Sequence, residues 1–297
     1  MHLPLTAVFS DLTLIPLPLI YVIAGVFGAI IGSFLNVVIH RLPREESIVL
    51  PSSRCPDCGA AIAFYDNVPV VSYVLLRGRC RACRAHISAR YPAVEALTAA
   101  LWVMVAGRDG LTWALPFDLI FVTAVTALIF IDAEHMILPN AITYPGIVFA
   151  FVARLVLPYL MGRPYFEDID MLLNGPLNGM PLWAASLVGA LIGALVGGGS
   201  LWLMGWAWEK LRGIEAMGLG DVKMMFMVGA YLGWPLTVLT IFLGALSGSV
   251  IGIAVTLYEG RRDLKSYLPY GVYLGIGSLV ALFFGAQIIH WYTGFYR

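Results

Sequence analysis

The sequence predicts an all-α polytopic membrane protein with about eight transmembrane helices and a small zinc-ribbon-like domain on the cytoplasmic side. Three observations lead there. Of 297 residues, 60% are hydrophobic and 12% charged, and the mean hydropathy is +0.85, far too apolar for a soluble globule of this length. Apolar runs of about the 20 residues that a bilayer requires recur along the chain. A single polar stretch holds all four cysteines and eight of the 18 basic residues. With a net charge of zero, nothing in the balance points to a nucleic-acid partner, and the partner implied by composition is the lipid bilayer.

Residues 1–39 form an N-terminal segment and the first span, Leu17 to Ile39. No Lys or Arg precedes its apolar run and no small-residue cleavage site follows it, so it reads as an uncleaved anchor. Gly25, Gly28 and Gly32 recur at spacings of three and four, a ridge that lets another helix approach closely. Ser33 and Asn36, at the inner end, are polar enough to face a pocket instead.

Residues 40–92 form the polar domain. Cys55-Pro56-Asp57-Cys58-Gly59 and Cys80-Arg81-Ala82-Cys83 both have the C-x-x-C form, at nearly the zinc-ribbon interval. In a reducing compartment such pairs favour metal over disulfide. Four thiolates would fill the shell of a Zn2+ ion, so the metal would be structural, holding together a segment too small to fold on its own core. His86 is an alternative ligand, and Asp66, Asn67 and Pro69 read as turn residues.

Residues 93–297 form the membrane domain. The expected spans run from Ala93 to a turn at Arg108-Asp109-Gly110, then over Leu115–Ile131, Ala141–Met161, Leu182–Gly205, Val222–Leu232, Pro235–Tyr258 and Val272–Trp291. Pro139 should open the helix after the third span. Glu95 reads as a partner for a loop arginine and Asp118 as a boundary charge near water. Arg154 stands inside a span, while Glu167, Asp168 and Asp170 fall in an outer loop, and Trp206 to Gly220 reads as a cytoplasmic loop. On this layout 14 of the 18 Lys and Arg lie on one side, including Arg261, Arg262 and Lys265, which sets that side as cytoplasmic.

Two acids stand where a carboxylate is expensive. Asp132 ends one apolar run, and Asp221 opens another within Glu215-Ala-Met-Gly-Leu-Gly-Asp-Val-Lys223. Alone, Asp221 could simply cap a helix beginning at Val222. Gly218 and Gly220 before it would allow positive φ and close approach of another chain, making Gly218, Gly220 and Lys223 a candidate substrate loop. Both acids fall on the cytoplasmic side. Two carboxylates sharing one site cannot both ionise easily, so one keeps a proton while the other takes one from water, the chemistry of aspartic proteolysis. The alternative class is a zinc-stabilised membrane transporter using the acids as ion or proton sites.

The chain resembles the type IV prepilin peptidases, the bifunctional leader peptidases and N-methyltransferases of bacterial pilus and type II secretion systems. The resemblance rests on Gly32-Ser33-Phe34-Leu35-Asn36-Val37-Val38, the two cysteine pairs, Asp66-Asn67-Val68-Pro69-Val70, Arg90-Tyr91-Pro92 with Glu95, Ile131-Asp132 with Leu138-Pro139, and Gly218-Leu219-Gly220-Asp221-Val222-Lys223, in this order over most of the chain. It implies that Asp132 and Asp221 are the catalytic pair of a GxGD-type membrane aspartic protease in the bacterial inner membrane. It implies prepilins and pseudopilins as substrates, whose basic leader is cut after a Gly at the cytoplasmic face before the new N-terminal residue is methylated from S-adenosylmethionine. Gly32, Ser33, Asn36 and Glu95 are the candidate contacts for that methyl donor. The chain departs from the pattern at Asn140, where many relatives carry an acid.

Overall fold

A computed structural model describes residues 16–213, 217–259 and 269–294. Glu215, the basic turn expected at Arg261, Arg262 and Lys265, and Arg297 lie outside the described residues. The chain divides into two compact units, Met1–Ala127 and Leu128–Arg297.

In the first unit, α1 (Leu17–Arg41) opens with a proline in its first turn, which suits a position whose N–H has no helical partner. It packs along α3 (Arg90–Asp109) through the glycine ridge. A Cβ added at Gly28 would lie 2.8 Å from Ala99 Cα, and one at Gly32 2.7 Å from Glu95 Cα, so the two backbones touch and any side chain would part them. Between these helices run the cysteine loop and the short α2 (Val71–Leu75). The only β pairing among the described residues is two isolated antiparallel bridges, Arg54 with Ala61 and Arg79 with His86. The following helix, α4 (Ala114–His135), begins in this unit. Asp118 on it is fully buried and paired with Arg108 at 3.2 Å, so it is an ion-paired acid and not the watered boundary charge expected.

The second unit contains the end of α4, then α5 (Asn140–Met161), α6 (Glu167–Leu173), α7 (Leu182–Ala194), α8 (Ser200–Arg212), α9 (Leu219–Leu232), α10 (Trp234–Glu259) and α11 (Tyr270–Gly294). Helix α9 is its axis: from Val222 to Leu232 nearly every side chain is buried, and α5, α7, α10 and α11 all touch it. A π turn, Leu195–Gly199, joins α7 to α8 into one continuous rod, so Trp206–Arg212 is helix where a loop was expected. Its glycines, with Gly193, let this rod press directly on the α9 backbone at Met225 and Gly229.

Among the described residues, six helices are long and apolar enough to cross a membrane, against the eight expected. Helices form at the other two positions as well, but α3 carries Arg90, Glu95, Arg108 and Asp109, and α9 has 14 residues. At 1.5 Å per residue α9 spans about 21 Å, short of the roughly 30 Å hydrocarbon core.

Arg154 explains its own presence in α5. Its guanidinium meets Asp168 at 2.6 Å, both side chains are fully buried, and its Nε donates to the carbonyls of Ala230 and Tyr231 at 3.0 and 3.1 Å. The ring of Phe166 lies beneath it, 3.9 Å from centroid to guanidinium carbon. Asp168 is therefore a core residue on α6 and not a loop acid. Gly233, at φ +82, turns the chain where a Cβ would strike both members of the pair.

Candidate active site

Asp132 sits in the last turn of α4, whose backbone ends when the Met136 N–H, from a left-handed residue at φ +53, donates to the Asp132 carbonyl at 2.9 Å. The chain then leaves regular structure through Leu138, and Pro139, itself extended, caps α5, one residue before the helical start expected of it. Asp221 lies in the first turn of α9. The N-cap of that helix is Gly218, at φ −68, and no side chain caps it, so the capping reading of Asp221 fails because the helix starts three residues earlier than expected. Nor do Gly218 and Gly220 adopt positive φ. Gly220 is needed for space: a Cβ there would press on Leu138 Cβ at 3.0 Å.

The two carboxylates converge on the first turn of α11. A Cβ built on Gly271 would lie 2.8 Å from Asp132 Oδ2 and 3.1 Å from Asp221 Oδ1, so these oxygens are no further apart than the sum, about 5.9 Å. At such a separation a single water lying between the two oxygens, clear of the helix backbone, could hydrogen-bond to both at up to about 3.0 Å each. Asp132 is nearly buried and its Oδ2 accepts the Val272 N–H at 3.1 Å. A cavity of about 380 Å³ opens beside the pair, lined among others by Gly218, Gly220, Lys223 and Asn140. Lys223 donates to Asn140 Oδ1 at 2.6 Å and lies over the ring of Tyr144. A second cavity, about 320 Å³, shares Gly218 with the first and is walled by Trp202 and Trp206 of α8. Gly271 and Val272 were not singled out in the sequence; the Pro269-Tyr270-Gly271 step at the head of the last apolar run is the signal that marks them.

The four cysteines form one cluster, all sulfurs within 4.8 Å of one another, with His86 outside it. The two halves have matching geometry. Cys55 and Cys80 each accept the amide of the residue four further on, Gly59 and Arg84, and both of those residues have positive φ, +70 and +64. The Cys55 and Cys83 sulfurs are 3.8 Å apart, the edge of a tetrahedron whose metal–sulfur bonds are about 2.3 Å. Amides of Cys83 and Ala82 hold the Cys80 thiol down at about 7. Cys83 is pushed up to about 12: the Ala85 amide lowers it, but burial and the neighbouring sulfurs outweigh that. Sulfurs that crowd one another in this way need a cation to ionise together, and the set fits a tetrahedral soft-ligand metal such as zinc. Asp66 is clamped by Arg81 through three hydrogen bonds of 2.6 to 3.0 Å, which lower its carboxyl, so it braces the loop and is more than a turn residue.

Gly32, Ser33, Asn36 and Glu95 meet where α1 crosses α3. Ser33 hydrogen-bonds to Glu95, and Glu95 Oε2 accepts the Val70 N–H at 2.7 Å, so its partner is a loop amide and not the expected arginine. Val70 holds φ +61, a strained value for a β-branched residue. Asn36 donates to the carbonyls of Gly32 and Tyr91, while its Oδ1 is buried without a partner.

Residues 26–108 match the Bacterial Peptidase A24 N-terminal domain, and residues 119–253 match the Type IV leader peptidase family. Among curated proteins, the chain is 38% identical to a prepilin leader peptidase/N-methyltransferase of Aeromonas hydrophila, over 90% of this chain and 91% of that one. It is 34% identical to one of Pseudomonas aeruginosa, over 94% and 95%, and 38% identical to one of Myxococcus xanthus, over 84% and 67%. No solved structure matches.

Proposed function

The chain belongs to the type IV leader peptidase family, and from that premise we propose that it cuts the basic leader from prepilins and pseudopilins after a Gly, using Asp132 and Asp221, and then N-methylates the new terminus. The observation that carries the peptidase half is the convergence of both carboxylates on one point beside a glycine-lined cavity. In this reading a water sits between them. The ionised acid takes its proton as the oxygen attacks the scissile carbonyl, and the protonated acid donates to the carbonyl oxygen. The tetrahedral intermediate then collapses: the C–N bond breaks, the nitrogen receives a proton from the pair, and a free amine and a carboxylate leave. The titration belongs to the pair. Gly218 and Gly220 keep the wall beside the acids low for an extended substrate, and Lys223 lines its path. The transporter reading is not favoured by the family assignment.

The surroundings follow from the same reading. The enzyme lies in the bacterial inner membrane with its site facing the cytoplasm, where most basic residues fall. Helices α3 and α9 complete eight membrane-embedded helices. Cys55, Cys58, Cys80 and Cys83 hold a structural Zn2+ with no open position for chemistry. S-adenosylmethionine supplies an electrophilic methyl group. Its cationic and hydroxyl-bearing parts suit an acceptor-rich set, and Asn36 Oδ1, buried without a partner, with Glu95 and Ser33 at the crossing that Gly32 keeps close, provides one.

The test is cleavage of purified prepilin in liposomes by wild type, Asp132→Asn and Asp221→Asn, with the product N-terminus read by mass. Each Asn variant is expected to lose at least about a hundredfold in rate, the usual share of general acid–base catalysis. Cleavage by either folded variant at near wild-type rate would refute the dyad. Asn36→Ala and Glu95→Gln, assayed with methyl donor, are expected to cut but leave the mass one methyl short.

A further inference from the structure

The first turn of α11 contributes two features to the acid pair that its helical role does not require. Gly271 is buried and its backbone is ordinary helix, so no special dihedral demands glycine there. What demands it is space, because a Cβ would stand 2.8 Å from Asp132 Oδ2, 3.1 Å from Asp221 Oδ1 and 3.1 Å from Leu138 Cδ1. Carbon cannot hydrogen-bond to either oxygen, and these separations are tighter than ordinary carbon–oxygen contact. With glycine there, both carboxylates can lie directly against the backbone of the α11 first turn. The neighbouring N–H, on Val272, lies in the first turn, where α-helical amides lack a partner four residues back. It donates to Asp132 Oδ2 at 3.1 Å, sharing its hydrogen with the Pro269 carbonyl at 3.2 Å, and that carboxylate oxygen is the one a Gly271 Cβ would strike.

We propose that Gly271 and the Val272 amide are positioning elements of the peptidase site: the missing Cβ lets both carboxylates close on the α11 backbone and on each other, and the N–H fixes Asp132 Oδ2 in that arrangement. This inference rests on the dyad reading above. Both act through the placement of the two acids, Gly271 on the pair and the Val272 amide on Asp132. A misplacement of the order of 1 Å at reacting groups costs about a hundredfold.

The experiment is steady-state cleavage of prepilin by the full-length protein in liposomes. Gly271→Ala is expected to lower kcat about a hundredfold or more while KM stays within about threefold, because an interaction made only at the reacting centre is lost and general substrate binding is kept. A merely structural role would move both constants along with thermal stability. If Gly271→Ala fails to fold, the second pair carries the test. Val272→Pro removes the N–H that serves Asp132 and the Pro269 carbonyl, in a first helical turn where proline is accommodated, and Val272→Ala trims the side chain but keeps the N–H. A kcat for Val272→Pro at least about tenfold below that of Val272→Ala supports the inference, a smaller effect than removing an oxyanion donor directly. Equal rates for that pair, or a folded Gly271→Ala within threefold of wild type, overturn it while leaving the dyad standing. Cleavage by either folded Asn variant at near wild-type rate would remove the dyad and this inference together.

Discussion

Replacing Arg154 tests how the second unit holds its central helix. Arg154 and Asp168 are both fully buried, 2.6 Å apart, and the same guanidinium donates to two carbonyls in the last turn of α9, which no helical N–H can reach. Arg154→Met fills much of the volume but leaves Asp168 as a lone buried carboxylate and orphans both carbonyls. Breaking one side of a buried pair costs about 3–5 kcal/mol. For a unit of this size each kcal/mol moves the melting temperature by about 2–4 °C, so the single variant is expected to melt roughly 6–20 °C lower. Adding Asp168→Leu removes the lone charge, and the double variant is expected to recover at least about half of the loss, since apolar replacement of a whole buried pair is often near neutral. The assay is thermal unfolding of wild type, both single variants and the double in one detergent, analysed as a double-mutant cycle. A coupling energy below about 0.5 kcal/mol, or a double variant as unstable as the summed singles, would refute the pairing as a unit.

Other expectations follow from the same geometry. Cys58→Ser or strong chelation is expected to remove one bound zinc per chain and expose the loop to protease, and zinc affinity should fall as pH drops through about 7, where the Cys80 thiol takes up its competing proton; metal analysis and limited proteolysis check both. Arg84→Gly is expected to stabilise the second knuckle by up to about 1 kcal/mol, because Arg84 holds φ +64 where the first knuckle has glycine, and a higher chelator concentration for half-release would show it. Asn140→Asp places a carboxylate against Lys223 at an exposed contact, worth under about 1 kcal/mol, so cleavage rate is expected to stay within about twofold.

What was legible in the sequence was what repeats or recurs locally. Apolar runs marked the helices, glycine spacing marked the α1 contact with α3, and two C-x-x-C pairs marked the cysteine cluster, because each is a short-range pattern with one physical meaning. The ends were less legible. Asp221 looked like a boundary residue because the apolar run starts at Val222, yet Gly218 caps the helix and sets the half-buried acid in its first turn. Arg154 and Asp168 were hidden by context: one stood alone in an apolar helix, the other among Glu167 and Asp170 in what read as a loop, and only tertiary packing joins them. The amide of Val272 leaves no trace in a sequence at all, since every residue but proline has one.

The π turn at Leu195–Gly199 makes the α7–α8 rod a helix with a change of phase. Each residue of an α-helix advances about 100° around its axis, and a single wide turn takes up roughly one extra residue. Everything after it is rotated by about that angle from the course an unbroken helix would follow. Trp202 and Trp206, which wall the cavity next to Gly218, owe their bearing to this step. The glycine run therefore acts as an angular offset, and in a lineage of such chains the loss of a single glycine would swing two tryptophans by more than a quarter turn without altering any residue that faces the acids.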